Sequence, residues 1–278
     1  MAEKKLHSDL FIRLRSGLIY AIVILAGCLL GNLATMIVIA AASGVCAYEF
    51  YFMLRSDAKL PNEALGIAAA VAFPVCYYFF QMKGVIFVTA AFIITLLVWY
   101  VFWRHARIAD VCISFFGAIY TGFMLTCLLA LRMAIPGDEI WGGIFVIFLL
   151  TTISVNDGFA YLFGKAFGKH RLAPHISPKK TWEGFIPALI CSTAIWFVLL
   201  IFPGVNVEFW QCIVFGLLCG LAGVIGDLVE SRMKRNSGVK DSGNLMPGHG
   251  GLLDRLDSIF LASLCCALLM FTFNCIPF

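Results

Sequence analysis

Apolar residues fill this chain in long runs, separated by short polar segments. A run of about 20 apolar residues is enough to cross the hydrocarbon core of a bilayer as a helix. Residues 17–54 form too long a run for one crossing and are predicted to make two, with a turn near Gly31 and Asn32. Further helices are predicted over 64–81, 85–103, 111–134, 140–163, 185–202, 209 to about 229, and 252–273. The pattern therefore predicts an all-α polytopic membrane protein with about nine transmembrane helices. Composition agrees: only 13% of the 278 residues are charged and 62% are hydrophobic, which is too apolar for a soluble globular domain.

Charge distribution then orients the helices. With the N-terminus cytoplasmic and nine crossings, Arg13, Arg15, Arg55, Arg104, Arg107 and the basic residues of two later loops fall inside. Only Lys83 and Arg132 fall outside, the bias expected of cytoplasmic loops, and the C-terminus ends on the opposite side. The short basic N-terminal segment suits a bacterial plasma membrane. The eleven cysteines lie mostly inside apolar runs, with no CxxC and no Cys/His ligand spacing, so they read as small hydrophobes. Glu49, near the inner end of the second helix, is expected to be solvated, as acids near an interface usually are.

One stretch breaks the apolar pattern in a way that anchoring does not explain. Between Gly216 and Ser258 the chain carries Asp227, Glu230, Asp241, Asp254 and Asp257, five basic residues, His249 and many glycines. Gly216, Gly220, Gly223, Asp227, then Glu230 or Ser231, then Lys234 recur at spacings of three and four, which puts them on one helix face. Small residues there let a neighbouring backbone come close and carry Asp227 into the same seam. Residues 232–251 are too polar and too rich in Gly and Pro to cross a bilayer, and offer Lys234, Arg235, Lys240 and His249 beside flexible backbone N–H groups. Asp254, Arg255 and Asp257 sit in the first turn of the last helix, where carboxylates are favoured. Asp157 is placed toward the end of the sixth helix and should face protein or water. After it comes a basic loop with Lys165, Lys169, Arg171, Lys179 and Lys180, followed by Glu183 and Gly184.

Ser231, Lys234-Arg235, Lys240-Asp241, Pro247, His249-Gly250-Gly251, Asp254-Arg255 and Asp257 closely resemble, in order and spacing, the signature of the phosphatidate cytidylyltransferases, or CDP-diacylglycerol synthases. Ser177-Pro178-Lys179-Lys180-Thr181, after the helix end bearing Asp157, resembles a second block of that family. The resemblance covers about residues 156–258. It implies transfer of the cytidylyl group of CTP to phosphatidic acid, giving CDP-diacylglycerol and pyrophosphate for phospholipid synthesis.

With that resemblance, residues 1–135 become a transmembrane scaffold, and 136–278 a catalytic region with cytoplasmic loops 164–184 and 231–251. Oxygen ligands suit Mg²⁺, with Asp227, Asp254 and Ser231 as expected ligands for one or two ions. Asp227, Asp254, Lys234 and Lys240 are the expected catalytic residues. Substrate phosphates are assigned to Ser177, Lys179, Lys180, Thr181, Arg235, His249, Gly250, Gly251 and Arg255, with Asp157 beside them. Asp241 and Asp257 either support these or pair with Lys240 and Arg255. The expected partners are CTP, phosphatidic acid and membrane lipid, with no nucleic acid; a homodimer is compatible with this assignment. Two other functions share part of the pattern. A CTP-dependent lipid-alcohol kinase would use a similar phosphate site, and an ion or proton transporter also places acids within helices.

Overall fold

The computed structural model describes residues 2–55, 60–137, 139–245 and 250–276, and side chains from residue 15 onward. Pro247 and His249 of the motif lie outside the described residues. Among the described residues nine α-helices carry the fold: α1 (Ala2–Leu29), α2 (Asn32–Leu54), α3 (Glu63–Phe102), α4 (Ile108–Ala118), α5 (Met124–Ala134), α6 (Glu139–Phe167), α7 (Trp182–Trp196), α8 (Phe209–Asn236) and α9 (Leu253–Thr272). Among the described residues seven helical segments are long and apolar enough to cross a membrane, with α4 and α5 counting as one continuous segment and α7 including its 3₁₀ extension. The apolar part of α1, Arg15–Leu29, is a shorter one.

At 40 residues α3 is about twice the length of one crossing. It is broken at Gln81, whose φ of 52° and ψ of −138° are not helical. The two arms fold back on each other, since Ala69 of the first lies in one apolar cluster with Phe92 and Leu96 of the second. Gly84 permits the sharp return. A Cβ there would stand 2.2 Å from the Cys76 carbonyl oxygen. The helices expected over 64–81 and 85–103 are these two arms.

The chain packs as two compact units. The first comprises residues 1–126 and 236–256, so the motif segment around Lys240 and Asp254 packs with the N-terminal helices. In this unit the buried Tyr51 hydroxyl donates to the Ser114 carbonyl oxygen at 2.6 Å. Gly66 and Gly117 make room for its ring, because a Cβ at either would come within 2.6 Å of the hydroxyl oxygen. A π-helical turn, Ile119–Phe123, joins α4 to α5, and its Gly122 lies against the backbone of Ala70. An all-apolar sequence window cannot show such a bulge; it exists because the backbone there packs against another backbone.

The second unit comprises residues 127–235 and 257–278. It departs from the all-α expectation at one place. Residues 171–181 form an antiparallel hairpin of β1 (Arg171–Ala173) and β2 (Ser177–Thr181), pairing Arg171 with Thr181 and Ala173 with Ser177. The segment is stranded because both its ends are tied to the start of α7. Thr181 caps α7 by accepting from Gly184 N at 3.3 Å. Glu183 accepts from Lys169 N at 3.0 Å and from His170 Nδ1 at 2.5 Å. A second departure concerns α8, which continues to Asn236, so that Ser231, Lys234 and Arg235 ride on a helix and not in a loop. Pairs four residues apart extend it: Ser231 with Asp227 at 3.1 Å and Lys234 with Glu230 at 2.5 Å, while Lys234 and Arg235 oppose the negative end of the helix dipole.

Candidate active site

Glycines set the geometry of the second unit's acidic cluster. The seam expected on α8 is present: a Cβ at Gly216 would stand 2.5 Å from Thr193 Cα of α7. Gly220 faces Leu189 of α7, and Gly223 faces Ile153 of α6 and Ser258 of α9. Gly226, which the spacing argument passed over, is the tightest of these against α9. A Cβ there would meet the Asp257 carbonyl oxygen at 2.4 Å and Ser258 Cα at 3.2 Å. Backbone rests on backbone, and the next residue along α8, Asp227, is thereby brought to Asp257.

Gly226→Ala is therefore expected to destabilise the protein by about 1–3 kcal/mol, because neither backbone can yield cheaply. Gly223→Ala has 3.7 Å of clearance to its nearest neighbours. It should change stability by only about 0.5 kcal/mol. Thermal unfolding in detergent compares the two, and equal midpoints would show that the seam is not held by this contact.

Asp227, Glu230 and Asp257 each offer a carboxylate oxygen, and the three lie within 4.8 Å of one another. Lysines balance part of this charge. Lys180 of β2 forms an ion pair with Asp227 Oδ2, and Lys234 pairs with the fully buried Glu230 at 2.5 Å. Ser231 donates to Asp227 Oδ1 at 3.1 Å. Asp157 of α6 accepts from Ser258 Oγ at 3.3 Å and lies within electrostatic reach of Lys180 and Asp227. Asp157, Asp227, Glu230 and Asp257 are thus gathered at one place, with Lys180 set against Asp227 and Lys234 against Glu230. Carboxylates so placed either share protons or hold a cation. An all-oxygen donor set dominated by carboxylates fits Mg²⁺, which takes hard oxygen ligands.

The two motif blocks thus meet within this unit through Lys180 and Asp227. Ser177, Lys179 and Thr181 share the β2 strand with Lys180, but Thr181 is buried and committed to capping α7, whereas Lys179 is exposed. Arg235 is exposed at the end of α8. Glu230 was legible as a position on the α8 face, as an alternative to Ser231 between Asp227 and Lys234, but not as a member of the carboxylate cluster, which needs Asp257 from another helix.

Within the first unit Asp254 has its own setting. Its Oδ2 accepts from Ser242 N at 2.9 Å, Ser242 Oγ at 3.0 Å and Gly251 N at 2.9 Å. Gly250 adopts φ 88°, and a Cβ there would come 2.8 Å from Asp254 Oδ2, so glycine is required on both counts. Lys240, Asp241 and Arg255 are exposed around this segment. Glu49 overturns its expected solvation. It is 4% exposed, and its carboxylate accepts from Leu252 N at 3.1 Å and Leu253 N at 2.8 Å. Its partners lie some two hundred residues further along the chain, and their open N–H groups at the start of α9 satisfy the acid where water was expected to.

Comparison with known proteins adds the family. A family model described as the cytidylyltransferase family matches residues 11–273. Proteins named phosphatidate cytidylyltransferase from Staphylococcus saprophyticus and Staphylococcus haemolyticus are each 46% identical to this chain over 114 residues, and one from Staphylococcus aureus strain COL is 48% identical over the same length. The aligned part is 41% of this chain and 44% of each relative, so the chain spans less than half the length of the curated relatives it matches.

Proposed function

The chain belongs to the cytidylyltransferase family, and from that premise we propose that it transfers the cytidylyl group of CTP to phosphatidic acid, releasing pyrophosphate and leaving CDP-diacylglycerol in the membrane. The observation that carries this reading is the ion pair of Lys180 with Asp227, which joins the Ser177–Thr181 block to the motif of α8 in an oxygen-rich cluster. An oxygen of the lipid phosphate attacks the α-phosphorus of CTP, a new P–O bond forms, and the bond to the β-phosphate bridge breaks. A phosphate monoester has a second pKa of about 6, so the nucleophile is ionised at neutral pH without help from a general base.

What the chain must supply is charge neutralisation, since two polyanions have to meet. Lys179, Lys180, Lys234, Lys240, Arg235 and Arg255, with Ser177, His249 and the Gly250 backbone, are assigned to phosphate oxygens, while the Gly251 N–H is taken by Asp254. Lys180 can pass from the Asp227 carboxylate to a phosphate without leaving the site. Asp227 and Asp254, with Ser231, are assigned to metal binding, and Glu230 and Asp257 complete the carboxylate cluster around Asp227. Mg²⁺ bound by such groups supplies Lewis-acid stabilisation of the charge that develops on pyrophosphate.

The protein is assigned to a bacterial plasma membrane with nine crossings, a cytoplasmic N-terminus and a cytoplasmic active site. The two arms of α3, the shorter apolar helix Arg15–Leu29 and the six other apolar segments support that count. The excess of Lys and Arg in the alternate loops supports the orientation.

An assay with purified protein tests the activity. CTP with phosphatidic acid should give CDP-diacylglycerol only when Mg²⁺ is present, whereas ATP, GTP or a lipid alcohol should give no product. In sealed vesicles, external CTP should be used by inside-out and not by right-side-out preparations. Phosphorylation of a lipid alcohol, or turnover in the wrong vesicle orientation, would overturn the respective assignment.

A further inference from the structure

Asp254 lies in the segment 250–255 at the start of α9, and what fixes that segment comes from α2. Glu49 reaches the first turn of α9 with both oxygens: Oε1 accepts from Leu252 N at 3.1 Å and Oε2 from Leu253 N at 2.8 Å. A carboxylate at a helix N-terminus satisfies open N–H groups and lies at the positive end of the helix dipole. Oε2 also lies 3.2 Å from Ser242 Oγ, which is 3.0 Å from Asp254 Oδ2. One hydroxyl proton is therefore shared between two carboxylates, linking Glu49 to Asp254 through a single atom. The carboxylate is enclosed by glycine backbones. A Cβ at Gly243 would stand 2.6 Å from Glu49 Oε1, and one at Gly251 would stand 2.5 Å from Oε2 and 2.1 Å from Ser242 Oγ. Substituting either glycine would push on the acid that holds the segment.

We propose that Glu49 is a positioning residue for the segment 250–255: by capping α9 and sharing the Ser242 hydroxyl it fixes the position and orientation of Asp254. The inference rests on the catalytic role assigned to Asp254 above. The acidity of Glu49 matters because two backbone donors approach two different oxygens, so only a group that accepts at both atoms satisfies them.

Glu49→Gln tests this nearly isosterically. Its NH₂ must oppose Leu252 N–H or Leu253 N–H, so one cap is lost whichever way the amide turns. In the detergent-purified full chain kcat per folded molecule should fall about tenfold or more, as with other supporting groups, while KM for CTP stays within about twofold. Hydrogen exchange in the peptide containing Leu252 and Leu253 should accelerate. Adding Ser242→Ala to Glu49→Gln should lower kcat by less than Ser242→Ala does alone, since both act through one link. Faster exchange with normal kcat would reduce Glu49 to a purely structural cap and overturn the proposal, as would unchanged exchange. Should Glu49→Gln not be recovered folded, Ser242→Ala alone decides, with normal kcat counting against the proposal. Absence of cytidylyl transfer in the unmodified protein would instead bring down the assigned reaction, and the exchange result would still show whether Glu49 holds the segment.

Discussion

Asp227→Asn is expected to lower kcat for cytidylyl transfer by roughly three orders of magnitude, the scale of losing a preorganised electrostatic group, with the protein still folded. Asp227 is the carboxylate at which the groups of the second unit converge. It pairs with Lys180, accepts from Ser231 Oγ, and shares a 4.8 Å neighbourhood with Glu230 and Asp257. Asparagine can keep the oxygen that serves Ser231, but its NH₂ then faces the Lys180 ammonium, donor against donor. Losing one partner of a half-buried ion pair destabilises, yet removing a negative charge from beside Glu230 and Asp257 relieves repulsion. These effects oppose, so the thermal midpoint should move little while turnover disappears. Conversion of labelled CTP to lipid product, measured beside the unfolding midpoint across a range of Mg²⁺, gives both quantities. Activity within about tenfold of the unmodified protein, a loss no larger than a supporting residue causes, would remove Asp227 from the metal site.

Much of this cluster was legible because its determinants are local. Glycines three and four apart on α8 predict a close helix contact, and the approach of Gly216 to the Thr193 backbone bears that out, while Gly223 keeps 3.7 Å of clearance. Hydropathy likewise locates the apolar helices, since each must span a fixed thickness. What escaped depends on distant partners. Glu49 reads as an interfacial acid until α9 supplies two N–H donors. The 164–184 segment reads as a basic loop until Glu183 gathers its backbone into a hairpin. The extension of α8 through Lys234 was half legible: the three-and-four spacing carried Lys234 on the helix face, but the charged residues from 231 on were read as a loop, whereas Glu230 and Lys234, one turn apart, stabilise the helix. The Gln81 break shows the converse, for sequence marks the polar interruption near Lys83 but not the backbone geometry that turns the chain there.

Asp254→Asn should also abolish turnover, by a factor of roughly one thousand, and its structural consequence should differ from that of Glu49→Gln in a way the donor pattern dictates. Three donors at Asp254, namely Ser242 N, Ser242 Oγ and Gly251 N, meet the same oxygen, Oδ2. An asparagine whose amide oxygen takes that position keeps all three bonds while deleting the charge. Glu49 divides its backbone donors between two oxygens, so its amide cannot do the same. Asp254→Asn should therefore leave hydrogen exchange at Ser242 and Gly251 unchanged and still be inactive, whereas Asp254→Ala should be inactive with faster exchange at both. Glu49→Gln should show faster exchange with partial activity. Exchange measured on these three variants beside their kcat separates a charge required for chemistry from a contact required for shape. If Asp254→Asn keeps native exchange and most of its activity, the carboxylate of Asp254 only organises the segment, and metal binding must rest on the Asp227, Glu230 and Asp257 cluster alone.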